Sequence, residues 1–189
     1  MSEVKSIRNI RTDPDPILRK TSKAVTQMTP RTDRLIDDMI NDLHAYDGVG
    51  LAAVQVGVLK RICVICIEEK YSERPELSPE ELEKWGSYCW NTGGEDLVII
   101  NPEVTADSAL CQTGSEGCLS FPEYYGKVTR PYYITLRALD RNLEPFTLKA
   151  AGLLARCICH EAEHMDGKLF VDRVEGGLYK ADREGEEEE

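Results

Sequence analysis

Two histidines and a glutamate stand at a spacing that could bind a metal ion and activate water. His160, Glu161 and His164 form an H-E-x-x-H pattern. On a helix, residues four positions apart share one face, so both imidazoles can reach the same ion. Glu161 follows the first histidine, where its carboxylate can take a proton from a water molecule that the ion activates. The chain has only three histidines and two of them lie here, which favours a metal site over a chance match.

The pattern requires a helix, and the surrounding residues predict one. Leu153, Cys157 and the two histidines form a single stripe at helical spacing. The alanines and leucines of 150–155 favour helix, and Gly167 is placed to end it.

Two imidazoles do not complete a catalytic metal site, which takes a third protein ligand and leaves a position open for water. One class of zinc protease adds a histidine where this chain has Phe170, and another adds a glutamate that would fall in the acidic end 186–189. Neither fits, so the third ligand must come from upstream. Cys118 is the candidate, because its neighbour Gly117 permits close approach and a thiolate is a strong ligand for zinc or iron(II).

An apolar, glycine-rich segment at 48–57 contains a single amide side chain, Gln55. The glycines allow the backbone to approach another group closely. A buried glutamine commonly satisfies backbone groups, but it could equally donate a hydrogen bond to a developing oxyanion. Both interpretations stay open. The segment lacks the Lys-Ser/Thr ending of a phosphate-binding loop.

Composition excludes several classes of function. Of the 189 residues, 41% are hydrophobic and the formal net charge is −11, so a clustered basic surface for nucleic acid is not expected. No apolar run is long enough to cross a membrane, and the first residues lack the apolar core of a signal peptide. The seven cysteines are scattered, which predicts reduced thiols and a cytoplasmic location.

Hydrophobic periodicity predicts a mixture of helices and strands. An amphipathic helix capped by Thr32 carries apolar residues at helical spacing from Leu35 to Leu43. A polar insertion at 68–95 contains a capping box that starts at Ser78, which predicts a short surface helix. Strands are predicted at 61–67, 97–105, 109–114, 132–139, 145–149 and 169–171.

Three motifs, in this order along the chain, resemble those of peptide deformylases. They are the glycine-rich segment 48–55, the Glu-Gly-Cys-Leu-Ser segment 116–120 and the H-E-x-x-H pattern, with shorter similarity at 13–19, 130–140 and 167–170. The resemblance implies an α+β fold, with mixed or antiparallel β-sheets packed around a central helix that carries the H-E-x-x-H pattern. We expect one catalytic domain at 1–181, with 68–95 as a surface insertion and 182–189 as an acidic, disordered tail.

The resemblance also implies a metal-dependent hydrolase that removes the formyl group from the N-terminal formyl-methionine of nascent polypeptides and releases formate. One divalent metal ion is expected, Fe(II) natively, with zinc, nickel or cobalt able to take its place. The implied metal ligands are Cys118, His160 and His164, and the implied catalytic groups are Glu161, Gln55 and the backbone N–H of Leu119.

Substrate contacts follow from the same resemblance. The peptide is expected to pair in extended form with the edge at 49–51, and the methionine side chain to lie in an apolar pocket. The expected substrate-binding residues are Val49, Gly50, Leu51, Glu116, Gly117, Leu153 and Cys157.

This chain departs from the family pattern at several positions. Glu163 stands where aspartate is usual, and we expect its carboxylate to pair with Arg137. Gly114 stands where relatives often carry a bulky residue, so one pocket wall is expected to differ. Some relatives carry a basic C-terminal helix that docks on the ribosome. The acidic residues of 182–189 make that route doubtful here, although ribosomal nascent chains remain the natural context.

Two other functions fit part of the pattern. A zinc endopeptidase is weakened because the downstream third ligand is missing. A structural metal module would need a fourth ligand and no general base, which Glu161 argues against. Cys159 could supply that ligand, but on a helix it faces about 100° away from His160.

Overall fold

Two antiparallel β-sheets and three α-helices make up residues 8–72 and 74–180, the part of the chain that the computed structural model describes. The strands are β1 (Gly50–Ala52), β2 (Ile62–Ile65), β3 (Leu97–Ala106), β4 (Cys111–Cys118), β5 (Phe121–Pro131), β6 (Tyr133–Leu139), β7 (Pro145–Ala151) and β8 (Glu175–Lys180). The α-helices are α1 (Pro30–Ala45), α2 (Pro79–Trp85) and α3 (Gly152–Met165), and 3₁₀ helices lie at Pro16–Arg19, Ala53–Val56, Glu69–Tyr71 and Phe170–Asp172.

The larger sheet has the strand order β1-β2-β3-β6-β7, and the smaller has the order β4-β5-β8. All neighbouring strands pair antiparallel. Helix α3, which carries the H-E-x-x-H pattern, contacts strands of both sheets. The predicted α+β fold around a central helix is therefore confirmed, and the sheets are of the antiparallel kind.

Strand β2 shows how the larger sheet is held between two helices. Cys63 and Ile65 belong to the apolar cluster that packs with α3, whereas Ile62 and Val64 belong to the cluster that packs with α1. Alternate side chains of a strand point to opposite faces, so every residue of β2 is buried. Burying each aliphatic side chain contributes roughly 1.5–3 kcal/mol, which fixes α3 against the sheet.

The ends of the helices follow local chemistry. The amphipathic helix is confirmed as α1, but Thr29 caps it rather than Thr32, because the Thr29 side chain accepts a hydrogen bond from the Thr32 N–H at 3.1 Å. Pro30 occupies the first helical position, where its missing N–H costs nothing. Gly167 follows α3 with a φ of +71°, as expected for a residue that ends a helix.

Aromatic side chains attach the insertion to the body of the protein. The capping box of Ser78 and Glu81 starts α2, as predicted. Trp85 stacks on Tyr133 of β6 with ring centroids 3.9 Å apart. Trp90 packs over Gly152, the first residue of α3. The insertion therefore contacts the beginning of the helix that carries the histidines.

The C-terminal part of the described chain differs from the prediction. The strand predicted at 169–171 is wrong: Phe170–Asp172 is a 3₁₀ helix, and the Asp172 carboxylate accepts a hydrogen bond from the Leu169 N–H at 2.9 Å. Strand β8 was not predicted because all six of its residues are exposed and show no apolar alternation. Residues 182–189 lie outside the described residues. Among the helices that are described, none has the length and apolar character needed to cross a membrane.

Candidate active site

Helix α3 brings two imidazoles together at the end of a cleft. The Nε2 atoms of His160 and His164 lie 3.2 Å apart, and both side chains are buried. Cys118, the last residue of β4, places its Sγ 3.3 Å from Nε2 of His164. These three donor atoms all lie within 4.8 Å of one another.

The separations of these donor atoms fit a shared metal ion. With nitrogen about 2.1 Å and sulfur about 2.3 Å from a tetrahedral ion, the nitrogens would lie roughly 3.4 Å apart, and nitrogen and sulfur roughly 3.6 Å apart. The observed 3.2 Å and 3.3 Å are close to these values. One sulfur and two imidazole nitrogens suit zinc, iron(II), cobalt or nickel better than magnesium or calcium, which prefer oxygen.

The carboxylate of Glu116 orients His160. Its Oε2 lies 3.0 Å from Nδ1 of His160, so the imidazole donates from Nδ1 and leaves Nε2 free to bind an ion. Arg130 donates to both oxygens of the same carboxylate at 2.9 Å. Although burial opposes ionisation, the hydrogen bonds from Arg130 and His160 lower the pKa of Glu116 to about 2. Glu116 is therefore ionised, and its oxygens are occupied by protein partners.

The two imidazoles differ in their affinity for a proton. Burial lowers the pKa of His160, but hydrogen bonds with Cys118 and Glu116 outweigh it and raise that pKa to about 10. Burial and the charge on His160 hold the pKa of His164 well below its usual value. Cys118 and Glu116 thus favour a positive charge at His160, whereas burial and that charge favour a neutral His164.

Glu161 has the burial expected of a proton-transfer group. Its side chain is 3% exposed, and its Oε2 is buried with no hydrogen-bond partner among the described residues. Burial raises the pKa of its carboxyl to about 7, because the effect of burial exceeds the opposing effect of the charge on His160. Gly50 makes room for it, since a Cβ at that position would lie 2.5 Å from Oε1 of Glu161 and 2.9 Å from Sγ of Cys157.

Gln55 combines the two interpretations that its sequence left open. Its Oε1 accepts the backbone N–H of Ala52 at 2.8 Å, which fixes the orientation of the amide. Its Nε2 then lies 3.2 Å from Oγ of Ser120 and 3.4 Å from Sγ of Cys118. The amide therefore satisfies the backbone and also directs a donor nitrogen toward the site.

A cleft of about 630 Å³ leads to these groups, and its lining is predominantly apolar. Leu119, beside Cys118, lines it too. Of the residues expected to bind substrate, those lining the cleft are Val49, Gly50, Glu116, Gly117, Leu153 and Cys157. Leu51 does not reach it: its side chain is fully buried in the cluster that packs with α1. Its side chain faces away from the cleft because successive residues of β1 face opposite sides of the sheet, and the expected pairing of a peptide with the backbone at 49–51 stays a prediction.

The predicted pairing of Glu163 with Arg137 is wrong. Glu163 instead pairs with Arg130, whose Nη1 lies 2.7 Å from its Oε2, and with Arg173. Arg137 is exposed on β6, between the buried Leu136 and Ala138, and so points away from the core. Glu163 is one methylene longer than the aspartate that is usual at this position, and it still forms an ion pair with an arginine.

The guanidinium of Arg156 lies where a side chain at position 114 would be. A Cβ at position 114 would lie 2.9 Å from Nη2 of Arg156, so the guanidinium fills the space that a larger residue would take. Nη1 of Arg156 donates to Glu116 at 2.9 Å and to the carbonyl of Val128 at 3.0 Å. The wall expected to differ at Gly114 is therefore built by an arginine from α3.

Sequence comparison decides which family this site belongs to. The family model for polypeptide deformylase matches residues 7–178. The chain belongs to the peptide deformylase family. It is 44% identical over 182 residues to the peptide deformylase of Lachnoclostridium phytofermentans, which covers 96% of this chain and 98% of the relative. Peptide deformylase 1 of Bacillus subtilis is 37% identical over 169 residues and covers 89% of this chain and 91% of the relative.

Solved structures of peptide deformylases share the fold. The enzyme from Ehrlichia chaffeensis superposes with a TM-score of 0.79 at 36% identity, covering 90% of this chain and 89% of the other. A second structure of it is a complex with actinonin. The enzyme from Thermotoga maritima gives a TM-score of 0.74 at 30% identity, and the match covers 90% of this chain and 99% of the other. This chain is accordingly a hydrolase of a metalloenzyme family, and it removes the N-formyl group from nascent peptides.

Family membership leaves the endopeptidase and structural-module alternatives without support. Sequence reasoning missed three arginines around the site: Arg130 and Arg156, which bind Glu116, and Arg173, which binds Glu163. It also missed Tyr124 and Tyr125, which line the cleft from β5. No local pattern marks these residues as part of the site, which they reach from β5, from α3 and from the residue after the 3₁₀ helix Phe170–Asp172.

We expect Gly50→Ala to lower kcat for formate release by about 100-fold, because the added methyl group would displace the Glu161 carboxylate. Bound metal should be unchanged, since the candidate ligands do not approach that position. Gly48→Ala is the matched control: its methyl would meet leucine side-chain carbons at 3.1 and 3.3 Å and a backbone oxygen at 3.7 Å, so a loss of a few-fold at most is expected. Equal activity in the two variants would contradict this account of Gly50.

Proposed function

We propose that Cys118, His160 and His164 hold one divalent metal ion and that Glu161 transfers the proton during deformylation. The observation that supports this most is the convergence of three donor atoms beside a buried carboxylate whose Oε2 has no partner among the described residues. When bound, the ion supplies Lewis acidity, polarising the formyl carbonyl and lowering the pKa of water.

The residues of this chain then divide the remaining work. Glu161 takes a proton from the attacking water, whose oxygen bonds to the formyl carbon. The Gln55 amide and the backbone N–H of Leu119 donate hydrogen bonds to the oxyanion that develops. Glu161 passes its proton to the leaving amine nitrogen, the C–N bond breaks, and formate and the free N-terminus are released. Glu116 holds the His160 ring in position throughout.

Peptide binding is proposed along the cleft. Strand β1 is an edge strand of the larger sheet, so an extended peptide can pair with the backbone at 49–51. Val49, Leu153 and Cys157 line the cleft and present apolar or weakly polar surface to a methionine side chain. The acidic Glu161 and the donor Gln55 lie at the same end, where the formyl group would be placed.

Glu161→Ala tests the proton-transfer role. With formyl-Met-Ala-Ser as substrate, we expect formate release to fall by about 10²–10⁴-fold while the bound metal is retained. Glu103→Ala, which truncates an exposed glutamate on β3, should keep full activity. If Glu161→Ala kept wild-type turnover at equal metal content, the proposed role would be wrong.

We propose Fe(II) as the native ion, with zinc, nickel or cobalt able to replace it. A thiolate and two imidazoles accept all four ions. Binding affinity alone would favour cobalt, nickel and zinc over iron(II), so the native ion depends on its supply in the cell. Protein purified without oxygen from its own host should contain mainly iron by elemental analysis, and its activity should decline in air. Mainly zinc, with activity that air does not change, would contradict this assignment.

We also propose that 1–181 acts as one catalytic domain in the cytoplasm and meets its substrates as nascent chains at the ribosome. The family match at 7–178 spans the insertion, and all seven cysteines, each in the described residues, are free thiols. A net charge of −11 disfavours stable docking on ribosomal RNA. We expect no cosedimentation of the enzyme with ribosomes at physiological salt, and a stable complex would overturn the proposal of transient contact.

A further inference from the structure

A second group of possible metal ligands lies outside the residues assigned to catalysis. His44 is in the last turn of α1, Cys66 follows β2, and Asp96 precedes β3. Each offers one ligand atom, and these atoms all lie within 4.8 Å of one another. Nε2 of His44 is 2.7 Å from Oδ1 of Asp96.

Regular structure positions this group. Ile65 pairs with Leu97 in the antiparallel register of β2 and β3, so the next residues outward, Cys66 and Asp96, emerge side by side. Helix α1 packs on the face of β2, which brings His44 to the same point. The three side chains therefore converge from three elements of the fold rather than from one flexible loop.

A cavity next to the group adds independent support. It has a volume of about 270 Å³, and both His44 and Cys66 line it. Asp47 and Glu68 lie on its walls and add two carboxylates. There is thus space beside the three ligand atoms, and two further carboxylates lie on the walls of that space.

We propose that His44, Cys66 and Asp96 bind a second divalent cation of the zinc class. A set of one nitrogen, one sulfur and one oxygen suits zinc and similar borderline ions, whereas magnesium and calcium prefer oxygen alone. On binding, the Cys66 thiol gives its proton to solvent, and the thiolate and the Asp96 carboxylate balance the charge of the ion. Burial and the neighbouring Asp96 raise the pKa of this thiol, so it carries its proton until a cation displaces it.

The second site adjoins the catalytic cleft. Asp47, Gly48 and Val49 line both cavities, one on each side of the segment that leads into β1. A cation bound to His44 and Cys66 would hold that segment in place. The expected consequence is a change in KM for the peptide, with kcat little altered, because none of these residues touches the reacting groups.

The number of zinc ions per chain tests the proposal. After dialysis of the metal-loaded enzyme against micromolar free zinc, elemental analysis should find two ions in the wild type. His44→Ala and Cys66→Ser should each retain one. Cys111→Ser is the matched control, since it makes the same change at an exposed cysteine of β4 and should retain two.

Cobalt substitution provides a second measurement. Thiolate-to-cobalt absorption in the near ultraviolet should fall by about half in Cys66→Ser relative to Cys111→Ser, because one of two thiolate ligands is lost. One zinc ion in the wild type that Cys66→Ser also retains would overturn the proposal. Two ions in His44→Ala and Cys66→Ser would overturn it as well, since the additional ion would then bind elsewhere on the acidic surface.

Discussion

One buried carboxylate, that of Glu116, holds the site together. It accepts hydrogen bonds from Arg130, Arg156 and His160, which come from β5 and from two positions of α3. The side chain is 4% exposed, so these interactions are only weakly screened by water. Removing one partner of such a buried ion pair costs about 3–5 kcal/mol, because the remaining charge is left without compensation. The smaller sheet and the central helix are thus joined at the residue that orients His160, one of the three proposed metal ligands.

The ion-pair network extends outward from that carboxylate. Arg130 contacts Glu116 with two of its nitrogens and Glu163 with the third, and Glu163 contacts Arg173 beyond the end of the helix. A planar guanidinium with several fixed donors can join two carboxylates in a defined geometry, which an ammonium group cannot do. Because Glu163 lies next to His164, the network restrains both ends of the H-E-x-x-H pattern.

Sequence alone could predict the part of the site that depends on local geometry. The pairing of His160 with His164 follows from helical spacing, and a helix in that place could be predicted from its apolar stripe. Cys118 could be proposed only because the pattern lacked a third ligand and the surrounding motif resembled a family. Its distance from the histidines depends on how two sheets pack, which no local pattern encodes.

The error at Arg137 has a similar physical origin. Arg137 lies on a strand, where a shift of one position reverses the face to which a side chain points. Its side chain faces outward, so it could not reach Glu163. Strand β8 carries no apolar alternation. Its backbone pairing with β5 therefore could not be predicted from its side chains.

The shared space of Gly114 and Arg156 restricts how this enzyme can change during evolution. A larger residue at 114 would push the guanidinium away from Glu116, whereas a shorter residue at 156 would leave the carboxylate short of a donor and the space empty. Each substitution is therefore harmful when it occurs alone. The two positions are expected to vary together among homologues.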